Sequence, residues 1–219
     1  MEQINYQKQL EKLLDNIKST GEKPSMLLHS CCAPCSSYVL KYLSDFFKIT
    51  VFYFNPNIFP IEEYLKRKEE QKRLITLMNS DDKEIYFTDC DYDYNSFLDI
   101  AKGLENEREG GDRCTACYKL RLEAAANKAK ELKCDYFGTT LTVSPYKNAK
   151  KLNDIGKKLE SDYEVKFFVS DFKKREGYKI SIELSKKYNL YRQDYCGCEF
   201  SLRQSHEQKE KKNQNNCKA

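Results

Sequence analysis

The chain has 219 residues, 33% of them charged and 40% hydrophobic, with a net charge of +4. This composition suits one globular domain with a core of its own and excludes a disordered chain, and no apolar run approaches the roughly 20 residues that cross a bilayer. The N-terminal stretch alternates charged and apolar positions instead of running basic then apolar, so no secretory signal is visible and the expected compartment is the cytoplasm.

Residues 2–20 space Ile4, Leu10, Leu13, Leu14 and Ile17 by about three and four, which predicts an amphipathic helix. A short apolar run from Ser25 reads as a buried strand ending at Cys31, and residues 35–46 as a helix. Residues 49–54 read as a second strand closed by Asn55-Pro56, and 61–78 as a long charged helix. A strand at 84–87, a helix at 94–102 and a loop at 104–112 with Gly110-Gly111 come next. The Ala-rich stretch 114–132 is the strongest helix, strands are expected at 135–139 and 165–169, and helices at 149–159 and 177–188. Strands alternating with helices of crossover length predict an α/β fold, a parallel sheet flanked by helices. One catalytic domain over 1–205 is expected, followed by a disordered basic tail at 206–219.

Ten cysteines are the anomaly. They fall in tight groups in a chain without a signal, which favours metal binding or thiol redox chemistry over a disulfide framework. Cys31, Cys32 and Cys35 sit where a strand gives way to a helix, at the carboxyl edge of the sheet, where open α/β sheets place ligands. A helix N-terminus there also lowers thiol pKa values. Cys114 and Cys117 lie three apart at the start of the next strong helix, hence on one face. Two such pairs supply four thiolates, which fit tetrahedral zinc or an iron–sulfur cluster, and adjacent cysteines favour the cluster. Cys35 is open between a helix-face filler, a fifth ligand and part of a second, mononuclear metal site.

Cys196-Gly-Cys198 differs. Two residues of extended chain span about 7 Å, the limit for a disulfide, so bridging requires a sharp turn at Gly197 and gives a strained, reducible bond. A redox-active pair is favoured, with two further metal ligands as the alternative. Cys134 reads as a core residue, Cys217 as incidental in the tail, and Cys90 has no assigned role. Arg113 and Arg121 offer phosphate contacts or a solvated helix face, and the hydroxyl-rich stretch 138–147, ending in Lys147, offers a cradle for a phosphate or base. His29 reads as a buried, hydrogen-bonded histidine beside the site. The 16 tyrosines supply aromatic faces, some of which would stack unpaired bases.

The ordered set LLHSCCAPCS, GGDRCTACYKLRL, GTTLTVSPYKN and YRQDYCGCEFS resembles the cobalamin-independent epoxyqueuosine reductases, the QueH family, over residues 26–202. The resemblance implies reduction of epoxyqueuosine to queuosine at the wobble position of a tRNA anticodon, the last step of queuosine biosynthesis. It further implies a [4Fe–4S] cluster on Cys31, Cys32, Cys114 and Cys117 and a redox-active pair at Cys196 and Cys198. The expected partners are a tRNA anticodon stem-loop and an electron donor, a reductase or a ferredoxin or flavodoxin, and no membrane. The layout also resembles the adenine-nucleotide alpha-hydrolase-like (HUP) folds, whose first loop carries S-G-G-x-D-S. Here that loop is HSCCAPCS, so a metal is expected in place of a nucleotide phosphate. Two rival readings are an iron–sulfur-dependent tRNA thiolase, which would turn over ATP, and a zinc-stabilised RNA-binding module, which would be colourless.

Overall fold

The computed structural model describes residues 4–81 and 83–216, with side chains as far as residue 210. Helix α1 (Tyr6–Thr20) opens on Asn5, whose side chain accepts from the Lys8 amide at 3.0 Å, and buries Leu10, Leu14 and Ile17. Strands β1 (Ser25–His29), β2 (Lys48–Tyr53), β3 (Ile85–Asp89), β4 (Tyr136–Thr139) and β5 (Lys166–Phe167) form one sheet in the order β3-β2-β1-β4-β5, every pair parallel. The helices between them are α2 (Ala33–Leu43), α3 (Ile61–Asn79), α4 (Tyr94–Ala101), α5 (Asp112–Glu131), α6 (Ala149–Tyr163), α7 (Gly177–Lys187) and α8 (Glu199–Asn216).

Strand β1 lies at the centre with Met26, Leu27 and Leu28 fully buried. Side chains on a strand alternate faces, and the two halves of the core follow that rule. Met26 and Leu28 join Val39, Val51, Phe168 and Phe172 on the face covered by α1, α2 and α7, while Leu27 joins Phe52, Phe137, Leu122 and Leu152 on the face covered by α5 and α6. A strand covered on both faces reads as an uninterrupted apolar run, which is why SMLLH was legible.

From β1 the chain winds outward through α2 to β2, and from β4 it winds the other way through α6 to β5. The order therefore reverses between β1 and β4, and a crevice opens beyond their carboxyl ends, where the connections to α2 and α6 diverge. Both loops carry residues of the candidate site.

Two expectations differ. The strand expected at 165–169 shrinks to Lys166–Phe167 at the sheet edge, although the Phe168 amide still donates to the Phe137 oxygen at 2.8 Å. The tail expected to be disordered from 206 continues α8 to Asn216. Its Glu, Gln and Lys residues are good helix formers. Its first turn is held by buried Phe200 and Ser201, and further contacts run from Gln204 to the Glu107 oxygen at 3.3 Å and from Lys209 to Asp194. Among the described residues, no helix is long and apolar enough to cross a membrane.

Candidate active site

The loop after β1 turns into α2 with Cys32 as its N-cap and Pro34 in the first turn, where a missing amide costs nothing. This brings Cys31, Cys32 and Cys35 together, their sulfurs within 4.8 Å of one another, with 3.7 Å between the Cys31 and Cys32 sulfurs. Hydrogen bonds from the Cys32 and Cys35 thiols hold the Cys31 thiol well below its ordinary range, while Cys32, donating to Cys31, is pushed up to about 11. Three sulfurs this close, one of them acidified by its neighbours, suit a metal, which would displace their protons on binding. The Gln193 amide donates to the Cys32 sulfur at 3.1 Å.

Cys114 and Cys117 occupy the first turns of α5, and both are buried. Cys114 belongs to the apolar cluster that contains Cys31 and Cys32, and its sulfur accepts from the Gly110 amide at 3.2 Å. Cys117 packs with Cys198, Phe97 and Phe200 in the neighbouring cluster. Burial pushes the Cys117 thiol up to about 12, and the Cys114 and Cys198 thiols also rise for the same reason.

The C-G-C turn lies over this second group. Cys196 lines the cavity, Cys198 is buried, and Gly197 has φ +142, a conformation that a residue with a Cβ adopts only under strain. A Cβ on Gly197 would also stand 3.1 Å from Ile58, 3.2 Å from Asn57 and 3.3 Å from Arg67. The turn is pinned by the Phe59 amide on the Gly197 oxygen at 2.8 Å and by Arg67 on the Cys196 oxygen at 3.1 Å. Both cysteines are free thiols, as are Cys90, which is exposed, and half-buried Cys134. Cys217 lies outside the described residues.

Besides Arg113, three buried cations lie among the thiols. Arg67 is 1% exposed and pairs with Glu63 at 2.7 Å. Arg121 is also 1% exposed, so the solvated-face alternative for it is excluded. Its guanidinium meets only neutral partners and sulfur: Asn55 Oδ1 at 2.6 Å, His29 Nε2 at 3.3 Å and Cys117 Sγ at 3.9 Å. Lys147, 9% exposed, lies among Cys196, Cys31, Cys35 and Tyr118. Among the described residues neither Arg121 nor Lys147 pairs with a carboxylate. Burial opposes their charge, but the thiol groups hold both pKa values above the ordinary ones. Two buried cations without carboxylates require a counter-anion, and the sulfurs are the groups placed to provide it. His29 is fully buried between Thr139 and the Phe54 oxygen, and burial followed by the Arg121 charge lowers its pKa to about 3, so it is neutral.

The donor set fits a thiolate-ligated metal group: converging sulfurs at a sheet edge with unpaired positive charge behind them. Beyond it opens a cavity of about 990 Å3 whose wall includes Cys31, Cys35, Lys147, Gln193 and Cys196 and, from α8, Gln204 and Glu207. The hydroxyl-rich stretch reaches the cavity over only part of its length. Thr139 and Thr142 bond internally, to His29 and Ser170, and only Ser144, Tyr146 and Lys147 of that stretch face the cavity. Arg113 is also unavailable, since it is buried and donates to the Leu104 and Glu105 oxygens at 2.9 Å. Arg67, Asn55 and the α8 wall escaped sequence reading. Arg67 sits in a run of charges indistinguishable from a solvated face, and α8 carries no apolar period.

A family model described as "Epoxyqueuosine reductase QueH" matches residues 26–204. A Staphylococcus epidermidis protein of that name is 44% identical, covering 91% of this chain and 85% of its own. One from Streptococcus pyogenes is 40% identical over 92% of this chain and 80% of its own, and one from Thermotoga maritima 35% over 81% and 90%. No thiolase or zinc module is among these relatives, and those two readings have no support from them.

Proposed function

The chain belongs to the epoxyqueuosine reductase QueH family, an oxidoreductase family, and from this we propose that it reduces epoxyqueuosine to queuosine at the wobble position of a tRNA, using two thiol groups on one cavity. The observation that carries the reading is the convergence of Cys31, Cys32 and Cys35 with the buried, carboxylate-free cations Lys147 and Arg121 at the sheet switch point.

Cys31, Cys32, Cys114 and Cys117 would hold a [4Fe–4S] cluster, with Cys35 as a further ligand or part of a second metal site. A cluster there supplies single-electron transfer and a Lewis-acidic iron. Both carbon–oxygen bonds of the epoxide break, a carbon–carbon double bond forms, and the oxygen leaves as water, which takes two electrons and two protons. The Cys196 and Cys198 dithiol holds that complement, because its oxidation to a disulfide releases two electrons and two protons. An external electron donor then restores the dithiol. Lys147 lines the cavity within the electrostatic reach of Cys196 and Cys31, and there it can donate a hydrogen bond to the oxygen as negative charge builds. Gln193, on Cys32, and Arg67, on the Cys196 main chain, keep the two sulfur groups in register.

The test is anaerobic turnover with a chemical reductant on an anticodon stem-loop carrying epoxyqueuosine. The expected product has lost one oxygen by mass, and no ATP is consumed. An unchanged stem-loop in the presence of metal-replete protein overturns the reading.

A further inference from the structure

Tyr146 is 75% exposed, more than any other large apolar side chain described, and it lines the cavity. Its neighbour Lys147 is buried, so the chain crosses from solvent to site within one residue. The turn that carries the ring is tied down. The Lys147 amide donates to the Ser144 oxygen at 3.2 Å, and the Lys173 ammonium donates to the Thr142 oxygen at 3.2 Å and the Lys147 oxygen at 3.3 Å. Asn148 then caps α6 through the Lys151 amide at 3.1 Å. Among the described residues no aromatic ring, cation or hydrogen-bond partner engages the Tyr146 side chain. An aromatic face on an ordered turn with no internal partner is already organised for an external one, and little further entropy is lost on contact.

Two exposed arginines line the same cavity. Arg108 has no carboxylate partner among the described residues, and Arg192 donates only to Ser185 Oγ, at 3.2 Å. Glu109, Glu207 and Asp194, the last paired with Lys209, share the wall, so positive potential is local to the guanidinium groups and does not cover the whole mouth. An aromatic face with separate cations matches unpaired nucleotides, whose bases stack while their phosphates accept. Resting on the tRNA reading above, we infer that Tyr146 stacks on a base of the anticodon loop next to the nucleotide in the cavity, and that Arg108 and Arg192 contact its flanking phosphates.

The experiment is anaerobic binding of an anticodon stem-loop carrying epoxyqueuosine, by fluorescence anisotropy over a series of salt concentrations, with the optical spectrum recorded for each variant. Tyr146→Ala should weaken binding about 5- to 100-fold with the salt slope unchanged, and Tyr146→Phe should bind as wild type does. Arg108→Gln and Arg192→Gln should each flatten the slope of log affinity against log salt by about 0.7, the effect of one lost single-strand phosphate contact. Wild-type affinity in Tyr146→Ala overturns the stacking role, and unchanged slopes in both arginine variants overturn the phosphate contacts. Wild-type protein that binds no stem-loop overturns the tRNA reading itself, which separates the two failures.

Discussion

Arg67 and Cys196 are joined by a hydrogen bond of 3.1 Å from guanidinium Nη1 to the main-chain oxygen, which ties the middle of a long helix to the C-G-C turn. The same guanidinium donates from Nε to Glu63 at 2.7 Å and lies 5.1 Å from the Tyr195 ring centre. Arg67→Met would leave Glu63, itself only 11% exposed, without its cation. Breaking a buried pair from one side typically costs about 3–5 kcal/mol. Urea unfolding should show a loss of that order, and a Lys replacement should recover only part of it, because one ammonium cannot serve carboxylate, carbonyl and ring together.

The three sulfurs within 4.8 Å give a second expectation. Anaerobically purified protein should be brown and contain about four iron atoms and four sulfides. Ser replacements at Cys31, Cys32, Cys114 or Cys117 should each lower the iron content. Cys35→Ser should lower it too, since its sulfur stands as close to Cys31 and Cys32 as a shared metal requires. Iron analysis and the visible spectrum decide both. Full loading in all five variants would remove the metal assignment.

How much of this was legible in the sequence follows from the range of the interactions. The strand at Ser25–His29 and the helix bearing Cys114 and Cys117 declare themselves by local period and composition. The junction of strand and helix at Cys31 and Cys32 follows from the apolar run before it, and Gly197 has the positive φ that a sharp turn between its cysteines needs, both local signals. What stayed hidden is long-range. Arg67 reaches Cys196 across 129 positions and Gln193 reaches Cys32 across 161, and neither pairing leaves a trace in the residues around it. Helix α8 was hidden for another reason: Phe200 and Ser201 anchor its first turn, and beyond them its described side chains are mostly polar, with no apolar stripe to betray a helix.

Acid should loosen the segment that leads into the C-G-C turn. The Arg73 guanidinium, and then the Tyr191 amide at 2.7 Å, hold the Glu70 carboxyl below its ordinary value of 4.5. A carboxylate depressed in the folded state adds stability above its unfolded pKa and loses it as pH falls through the folded one. The contribution is therefore complete at neutral pH, begins to fade as pH falls past the ordinary carboxylate value and is lost through the lower folded-state pKa. Because Arg73 is exposed, the pair is screened and contributes about 0.5–1 kcal/mol. Hydrogen exchange should show the Tyr191 amide losing protection in acid before the β1 amides do. Glu70→Gln should lower that protection at pH 7, and the gap from wild type should close as pH falls through the folded-state pKa of Glu70.

The roles of Cys196 and Cys198 separate most sharply by what survives their replacement. The main chain of both residues is fixed by contacts that do not involve sulfur: Arg67 on the Cys196 oxygen, Phe59 on the Gly197 oxygen, and Ser201 Oγ on the Gly197 amide at 3.3 Å and the Cys198 oxygen at 2.9 Å. Cys→Ser at either position should therefore leave the turn, and a metal held by the other cysteines, in place. If the pair delivers electrons, each variant keeps a near-normal cluster spectrum and loses repeated turnover with a chemical reductant. If the two sulfurs are metal ligands, each variant loses iron as Cys114→Ser does. Oxidised wild-type protein should show a mass loss of two hydrogens between these residues, reversed by mild thiol, because a bridge closed through one glycine is strained and easily reduced. Gly197→Val supplies the control. Its Cβ demands a φ the turn does not have and crowds Ile58, Asn57 and Arg67, so closure and turnover should fall while iron stays. A Cys196→Ser or Cys198→Ser protein that retains its cluster and turns over at the wild-type rate ends the redox-pair assignment.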